Sequence, residues 1–347
     1  MQLIVLGLNH KTAPVEIRER FNFSQDRTVR VLRRLRNNDN LNEAVLLSTC
    51  NRTELYMVLE DPAAGLHFIR TLLRHLAGEQ YKPDYFYNLT GINCVRHLFK
   101  VASSLDSLII GEGQILSQIK NAYHLSRSCG MTDTLFNTLF NRAIAVGKRV
   151  RTETKIAYSS VSVSSAAVDL AIDVVGDLTK ANILVLGAGR MSELTARHLI
   201  DKGAKTIFVS NRNLSHAQEL AEKFNGTAIP YNEFMHQAIT SDIIITSTGA
   251  PHYVITEQGV RDIIPKRSGK PLILVDIAVP RDVDPLVGDI EGVTLYNIDD
   301  LEGVVDMNKN FRSSEAKVAE AIIDEEITAL KERLRYLYDA ACNGSAA

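Results

Sequence analysis

A cysteine follows directly on an apolar run in Ser48-Thr49-Cys50-Asn51-Arg52-Thr53-Glu54. Far from it, NILVLGAGRMSELTARH at 182–198 passes from an apolar run into an amphipathic one through Gly187-Ala188-Gly189. A thiol can hold an acyl group as a thioester, and a bound nicotinamide can deliver hydride to it. Together the two segments point to reduction of an activated acyl group to an aldehyde.

Most free cysteines are only packing. Cys50 differs in its company: Thr49, Asn51, Arg52 and Thr53 form a polar cluster at the end of an apolar strand, where functional groups concentrate. Arg52 is expected to lower the thiol pKa and to be able to grip a carboxylate bidentately. His10 and His97 both stand outside the nucleotide segment near other polar residues, and spacing does not choose between them as the proton carrier. The stretch SLIIGEGQILSQIK at 107–120 brackets Glu112 with glycines and sets Gln114 and Gln118 four apart on one helical face. Such a face can orient a polar ligand or simply be solvated.

In the second segment the first glycine makes a tight turn after the strand, the second admits backbone N–H groups to a pyrophosphate, and the helix N-terminus favours the anion. Ser192 occupies the third glycine position, small enough for close helix–strand packing. The next strand ends in Val209-Ser210-Asn211-Arg212, with no acid to hold a ribose 2′-hydroxyl. Serine and arginine there suit a 2′-phosphate, so NADP is expected over NAD.

The elements that must position these groups are legible from periodicity. Apolar strands at 2–8, 43–48, 53–59 and 84–89, with helices at 24–37 and 64–77, give a βαββαβ order and a ferredoxin-like α+β domain. Residues 91–156 are helical throughout. Strands at 182–187, 206–210, 227–229, 242–246, 272–276 and 293–297 alternate with helices, the pattern of a doubly wound Rossmann sheet. A charged helix over 305–340 carries Val318, Ile322, Ile327, Leu330 and Leu334 roughly on one stripe. The expected α/β multidomain chain thus has a substrate domain at 1–156, a nucleotide domain at 157–303 and a C-terminal helix at 304–347.

Composition narrows the rest. A formal net charge of -2, from 39 basic and 41 acidic residues, gives no whole-molecule attraction to nucleic acid. The 4 cysteines show no zinc spacing, so no metal is expected, and free thiols fit a reducing cytoplasm. The start MQLIVLGLNHKTAP lacks a basic leader and no run reaches a membrane span, so a soluble, cytoplasmic protein is expected.

With these segments assembled, the chain resembles the glutamyl-tRNA reductases, NADPH-dependent enzymes that open tetrapyrrole synthesis from glutamate. The resemblance rests on GLNHKTAPVEIRE at 7–19, LSTCNRTELY at 47–56, LFKVASSLDSLIIGEGQILSQIKNAY at 98–123, GKRVRTET at 147–154, SVSSAAVDLA at 162–171, GAGRMSELTARHL at 187–199 and YNIDDL at 296–301. It implies Cys50 as the nucleophile on the aminoacyl ester of glutamyl-tRNA(Glu), and it selects His97 as the histidine important for activity. It implies a glutamyl site made by Thr49, Asn51, Arg52, Ser107, Glu112, Gly113, Gln114 and Gln118. It further implies an NADPH phosphate loop from Gly187, Ala188, Gly189, Arg190, Met191 and Ser192, with glutamate-1-semialdehyde as product.

Two departures accompany the resemblance. Gly113 replaces the proline common in the family, and the chain stops at Ala347, where relatives continue into a helical dimerisation domain. Pairing of two chains is therefore expected, if anywhere, on the 318–334 stripe. The downstream glutamate-1-semialdehyde aminomutase is a candidate partner. For tRNA phosphates, Arg27, Arg30 and Arg34 form one basic cluster and Lys148, Arg149, Arg151 and Lys155 a second. Two competing readings remain: a dehydrogenase of a small alcohol with a structural Cys50, and a non-catalytic nucleotide sensor.

Overall fold

The computed structural model describes residues 1–77, 82–108, 111–154, 156, 163–301 and 309–343, with side chains except at 75–77, 309–314 and 333–343. The chain divides into two compact units. One holds Met1–Ala13, Phe21–Ser160 and Asn308–Ala347, and the other holds Pro14–Arg20 and Val161–Met307.

The first unit begins with β1 (Gln2–Asn9), and the chain then forms the short helix α1 (Val15–Arg18), which is counted with the second unit. Helix α2 (Gln25–Leu35) starts at Ser24, whose side chain accepts from the Arg27 N–H. Strands β2 (Leu41–Ser48) and β3 (Arg52–Leu59), helix α3 (Pro62–Ala77) and strand β4 (Tyr87–Thr90) follow. The sheet order β2-β3-β1-β4, antiparallel throughout, is that of a ferredoxin-like domain. The last strand lies later than expected because Pro83–Tyr85 forms a 3-10 turn, for which proline sets φ.

All eight residues of β3 are buried, so both faces of this sheet are covered. Part of that cover comes from α4 (Gly91–Ala102), α5 (Gln114–Ser128) and α6 (Thr134–Glu153), whose apolar faces share a core with Val5, Val45, Leu47, Tyr56 and Val58.

Besides α1, the second unit holds α7 (Val163–Val175) and a parallel sheet of β5 (Asn182–Leu186), β6 (Thr206–Ser210), β7 (Thr227–Ile229), β8 (Ile243–Thr246), β9 (Leu272–Asp276) and β10 (Val293–Asn297). Helices α8 (Arg190–Asp201), α9 (Leu214–Lys223), α10 (Phe234–Ala238) and α11 (Glu257–Ile263) connect these strands. The order β10-β9-β8-β5-β6-β7 reverses direction between β5 and β8, the crevice where such sheets bind nucleotides. Within this unit α1 is gripped by the buried Arg281, which donates to Glu16 (2.9 Å) and Glu19 (3.0 Å), and by the Arg18–Asp299 ion pair.

Helix α12 (Lys309–Asn343) belongs to the first unit. Its buried stripe is Ala319, Ile322, Ile323, Ile327 and Leu330, all in the same core as α4 and α6. Of the expected stripe, Ile322, Ile327 and Leu330 are buried, Val318 is 49% exposed, and Leu334 lies outside the described side chains. Ion pairs flank the seam: Lys100–Glu320 (2.8 Å), Arg142–Glu326 (2.6 Å), Arg149–Glu325 (2.8 Å) and Arg149–Glu326 (3.0 Å). Among the described residues, the buried part of the stripe packs within the first unit. No helix among the described residues is long and apolar enough to cross a membrane.

Candidate active site

Cys50 sits half-buried, and in no disulfide, in the turn between β2 and β3. Thr49 builds that turn. Its N–H donates to the Arg52 carbonyl (2.8 Å), and its hydroxyl accepts from the N–H groups of Asn51 (3.2 Å) and Arg52 (3.1 Å). The Asn51 carbonyl in turn accepts from the His10 N–H (3.0 Å), tying the turn to the end of β1. Cys50 is therefore presented by a turn with internal hydrogen bonds, which keeps the thiol in one place.

The side chains that follow along β3 set the electrostatics. Arg52, Glu54 and Tyr56 alternate onto one face. Glu54 is fully buried and collects four donors: Arg52 Nη1 (2.6 Å), the hydroxyls of Tyr56 (2.6 Å) and Tyr87 (2.5 Å), and His97 Nε2 (2.8 Å). Burial acts to raise its pKa, but the Arg52 and His97 charges and hydrogen bonds outweigh that and hold the carboxyl well below its usual range. An ionised Glu54 can only accept, so His97 carries its proton on Nε2 and turns Nδ1 toward Asp106, 4.0 Å away. Burial against this anion pushes both tyrosine hydroxyls up, which keeps them protonated as donors.

Gly7 makes the arrangement possible. It lies in register between Glu54 on β3 and Tyr87 on β4. A Cβ at Gly7 would stand 2.8 Å from Glu54 Cγ and 3.0 Å from the Tyr87 oxygen, so only glycine lets the phenol reach across to the carboxylate.

Arg52 was expected to offer its guanidinium to a ligand, and here the structure differs. Arg52 is 2% exposed and binds the chain's own groups, Glu54, the Asp106 carboxylate (3.2 Å) and the Asp106 carbonyl. Lys11 completes the cluster on Asp106 (2.5 Å). The consequence is positional: Asp106 is pulled onto the Cys50 turn and brings Ser107 with it. Glu112 follows in the same loop, mostly buried, with its carboxyl pushed up by burial. Its carbonyl accepts from Ser104 (2.6 Å), and the Gly113 carbonyl accepts from Arg151 (3.0 Å). Gln114 opens α5, and Gln118, one turn on, lines a groove with Ser48.

Glu54, Asp106, Lys11, Tyr56 and Tyr87 were not anticipated as part of the site. A signal was available for the first, since Arg52, Glu54 and Tyr56 repeat at strand period in an otherwise apolar run.

The second basic cluster does not stay together as a phosphate site. Arg149 is bound by Glu153, Glu325 and Glu326, and Arg151 caps the Gly113 carbonyl. Lys155 lies outside the described residues.

In the second unit a cavity of about 290 Å³ opens at the end of β5, lined by Gly187, Ala188 and Gly189, by Ser210, Asn211 and Arg212, and by Tyr231 and residues 247–250. Gly187 has φ 114, and a Cβ there would press on Ser247 O at 2.8 Å, so the turn requires glycine. Ser192 is fully buried and bonds Ser247 (2.7 Å), a packing role. Arg190 and Met191 begin α8 and are not among the lining residues. The fit to a phosphorylated nucleotide is supported by Ser210, which lines the cavity and whose buried hydroxyl has no hydrogen-bond partner among the described residues. Beside it Arg212 is exposed, 5.9 Å over the Tyr231 ring and 3.2 Å from His252.

The far wall is held by two buried carboxyls that the sequence did not single out. Asp282 accepts from the Thr248 N–H (2.7 Å) and hydroxyl, fixing the 247–250 loop. Asp276 accepts from Thr246 (2.9 Å) and from three backbone N–H groups, and burial raises its pKa to about 7.

Comparison with known proteins supplies the context for this geometry. The family model for glutamyl-tRNAGlu reductase, N-terminal domain, matches residues 6–154, and that for shikimate / quinate 5-dehydrogenase matches residues 169–304. The glutamyl-tRNA reductase of Trichlorobacter lovleyi is 47% identical over 330 residues, 94% of this chain and 76% of that protein. That of Brevibacillus brevis is 45% identical over 332 residues, 95% of this chain and 73% of the relative. Among solved structures, glutamyl-tRNA reductase from Methanopyrus kandleri is 36% identical, with a TM-score of 0.51 over 96% of this chain and 81% of that one.

Proposed function

The chain belongs to the glutamyl-tRNA reductase family, and on that premise we propose that it reduces the glutamyl group of glutamyl-tRNA(Glu) to glutamate-1-semialdehyde, freeing the tRNA, as the first step of tetrapyrrole synthesis. The observation that carries this is the presentation of Cys50 on a turn whose next strand residues anchor His97 through a buried, ionised Glu54.

The Cys50 thiolate attacks the ester carbonyl. The C–S bond forms, the bond to the ribose oxygen breaks, and that oxygen takes a proton. His97, fixed by Glu54 at Nε2, has Nδ1 available to manage that proton. An aminoacyl ester is already activated, so no nucleotide triphosphate is needed. Ser107, Glu112, Gln114 and Gln118 are the groups proposed to hold the glutamyl moiety, with Thr49, Asn51, Arg52 and Gly113 shaping the turn and loop around it. NADPH, when bound, supplies the hydride that converts the thioester to the aldehyde and returns the thiolate. The residues proposed to hold it are the Gly187–Gly189 turn for the pyrophosphate and Ser210 with Arg212 for the 2′-phosphate. The setting proposed for this chemistry is a reducing cytoplasm, in which Cys50 stays a thiol. The reactive aldehyde favours direct hand-over to the aminomutase that consumes it.

The test is NADPH oxidation that requires charged tRNA. Wild-type protein should oxidise NADPH only with glutamyl-tRNA present, and Cys50→Ser should abolish it. A Cys50→Ser variant that keeps most turnover would instead support hydride transfer to a small carbonyl substrate.

A further inference from the structure

We propose that the groove between α2 and α5 seats the 3′-terminal adenosine of the tRNA, with exposed arginines of α2 holding the phosphates that precede it. This rests on glutamyl-tRNA being the substrate.

The first support is position. The groove, about 520 Å³, is lined by Ser48, Thr28, Gln118, Asn121 and His124 among others. Ser48 ends β2 two residues before Cys50, and two residues of extended chain span at most about 7 Å. In an aminoacyl-tRNA the ester is made to the ribose of the last nucleotide. Whatever carbonyl the thiol attacks therefore brings that adenosine along, and its base needs space within one sugar of the reaction. The groove offers room on the scale of small-molecule sites.

The second support is chemistry. Unpaired RNA ends are read by stacking on rings and by hydrogen bonds to base edges, and amide side chains match the donor–acceptor edge of adenine. Asn121 and Leu125, four apart along α5, line the groove and bring the Asn121 amide to it, while His124 is an exposed ring at its border. The floor is ordered from beneath: Ser48 Oγ accepts from the Phe23 N–H (2.9 Å), and the Arg27 guanidinium lies 4.7 Å over the Phe23 ring.

The third support is charge. The whole chain is slightly acidic, yet α2 carries Arg27, Arg30, Arg33 and Arg34 against Asp26 alone. Arg30, Arg33 and Arg34 are exposed and form no ion pair among the described residues, in contrast to Arg149, whose charge is consumed by three glutamates. Arg30 and Arg34 lie on the face of α2 turned away from Gln25 and Thr28, which line the groove, so the helix that walls the base-sized groove offers the preceding phosphates an uncompensated cationic surface on its outer side.

The test uses the full chain with three acyl donors: glutamyl-tRNA(Glu), the glutamyl ester of adenosine, and a glutamyl thioester of a small thiol with no nucleotide. Asn121→Ala with His124→Ala should raise KM for the first two about tenfold, the order expected for a lost stacked base. The same double variant should leave the nucleotide-free thioester unaffected. Arg30→Ala with Arg34→Ala should weaken glutamyl-tRNA alone and flatten the salt dependence of its binding. Unchanged KM of the Asn121/His124 variant for glutamyl-adenosine overturns the proposal, as does an equal loss on the nucleotide-free donor, which would mean damage to the thiol site. Wild-type protein that handles only the nucleotide-free donor refutes the functional reading itself, and the groove assignment with it.

Discussion

Replacing Glu54 by glutamine tests the electrostatic core of the site. Glu54 is fully buried and accepts from Arg52, Tyr56, Tyr87 and His97 at 2.5–2.8 Å. Glutamine keeps the shape but removes the charge and turns one acceptor atom into a donor facing donors. Arg52, itself 2% exposed, is left with Asp106 at 3.2 Å as its remaining carboxylate. Removing one partner of a buried ion pair costs about 3–5 kcal/mol. Because the amide oxygen still accepts and Asp106 remains, the lower end, about 3 kcal/mol, is expected. A domain of ordinary stability survives that loss and can be assayed. Urea unfolding followed by tyrosine fluorescence suits a chain with 11 tyrosines and no tryptophan. Tyr87→Phe should cost about 1 kcal/mol alone, and the double variant less than the sum, because both changes act on one carboxylate. Turnover should fall in Glu54→Gln through misorientation of His97, while NADPH binding is unchanged. A stability loss under about 1 kcal/mol would refute the idea that Glu54 anchors the cluster.

Further outcomes follow from the same contacts. Gly7→Ala should destabilise the first unit by about 1–3 kcal/mol and reduce thiol acylation, since the added methyl meets Glu54 Cγ at 2.8 Å; unfolding and adduct yield report it. Arg212→Ala should raise KM for NADPH at least about tenfold and leave NADH nearly unchanged, as steady-state kinetics with both cofactors would show. The two units should respond oppositely to pH. Glu54 and Asp106 are held below their usual values, so in the window beneath the ordinary carboxylate range the unfolded chain binds more protons, and the first unit loses stability on acidification. Asp276, at about 7 against an ordinary 3.8, binds its proton more tightly when folded, so its contribution declines as pH rises from about 4 toward 7. Hydrogen exchange resolved by unit measures both slopes.

Much of this was legible in the sequence because it rests on local periodicity. The parallel strands stand where apolar runs alternate with amphipathic ones, and Gly187-Ala188-Gly189 marks the nucleotide turn without tertiary information. The helix read at 24–37 follows in the same way, and the structure caps it with Ser24 and buries its Leu32 and Leu35. What escaped depends on register across strands. No local pattern shows that Gly7 lies between Glu54 and Tyr87, or that Asp106 returns to Arg52 from 54 residues away. Arg52 looked like a ligand-binding cation because its carboxylate partners are distant or one strand period along. On α12 the expected Ile322, Ile327 and Leu330 are buried, but packing on α4 and α6 takes Ala319 and Ile323 in place of Val318, a choice that helical spacing alone does not make.

The central claim is that Cys50 carries the glutamyl group. Incubating the protein with glutamyl-tRNA(Glu) in the absence of NADPH, followed by mass spectrometry of the peptide that contains residue 50, tests it directly. A glutamyl thioester on Cys50 is expected, and it should disappear when NADPH is added, with glutamate-1-semialdehyde formed in equal amount. An unmodified Cys50 in protein that still makes the aldehyde would contradict the claim.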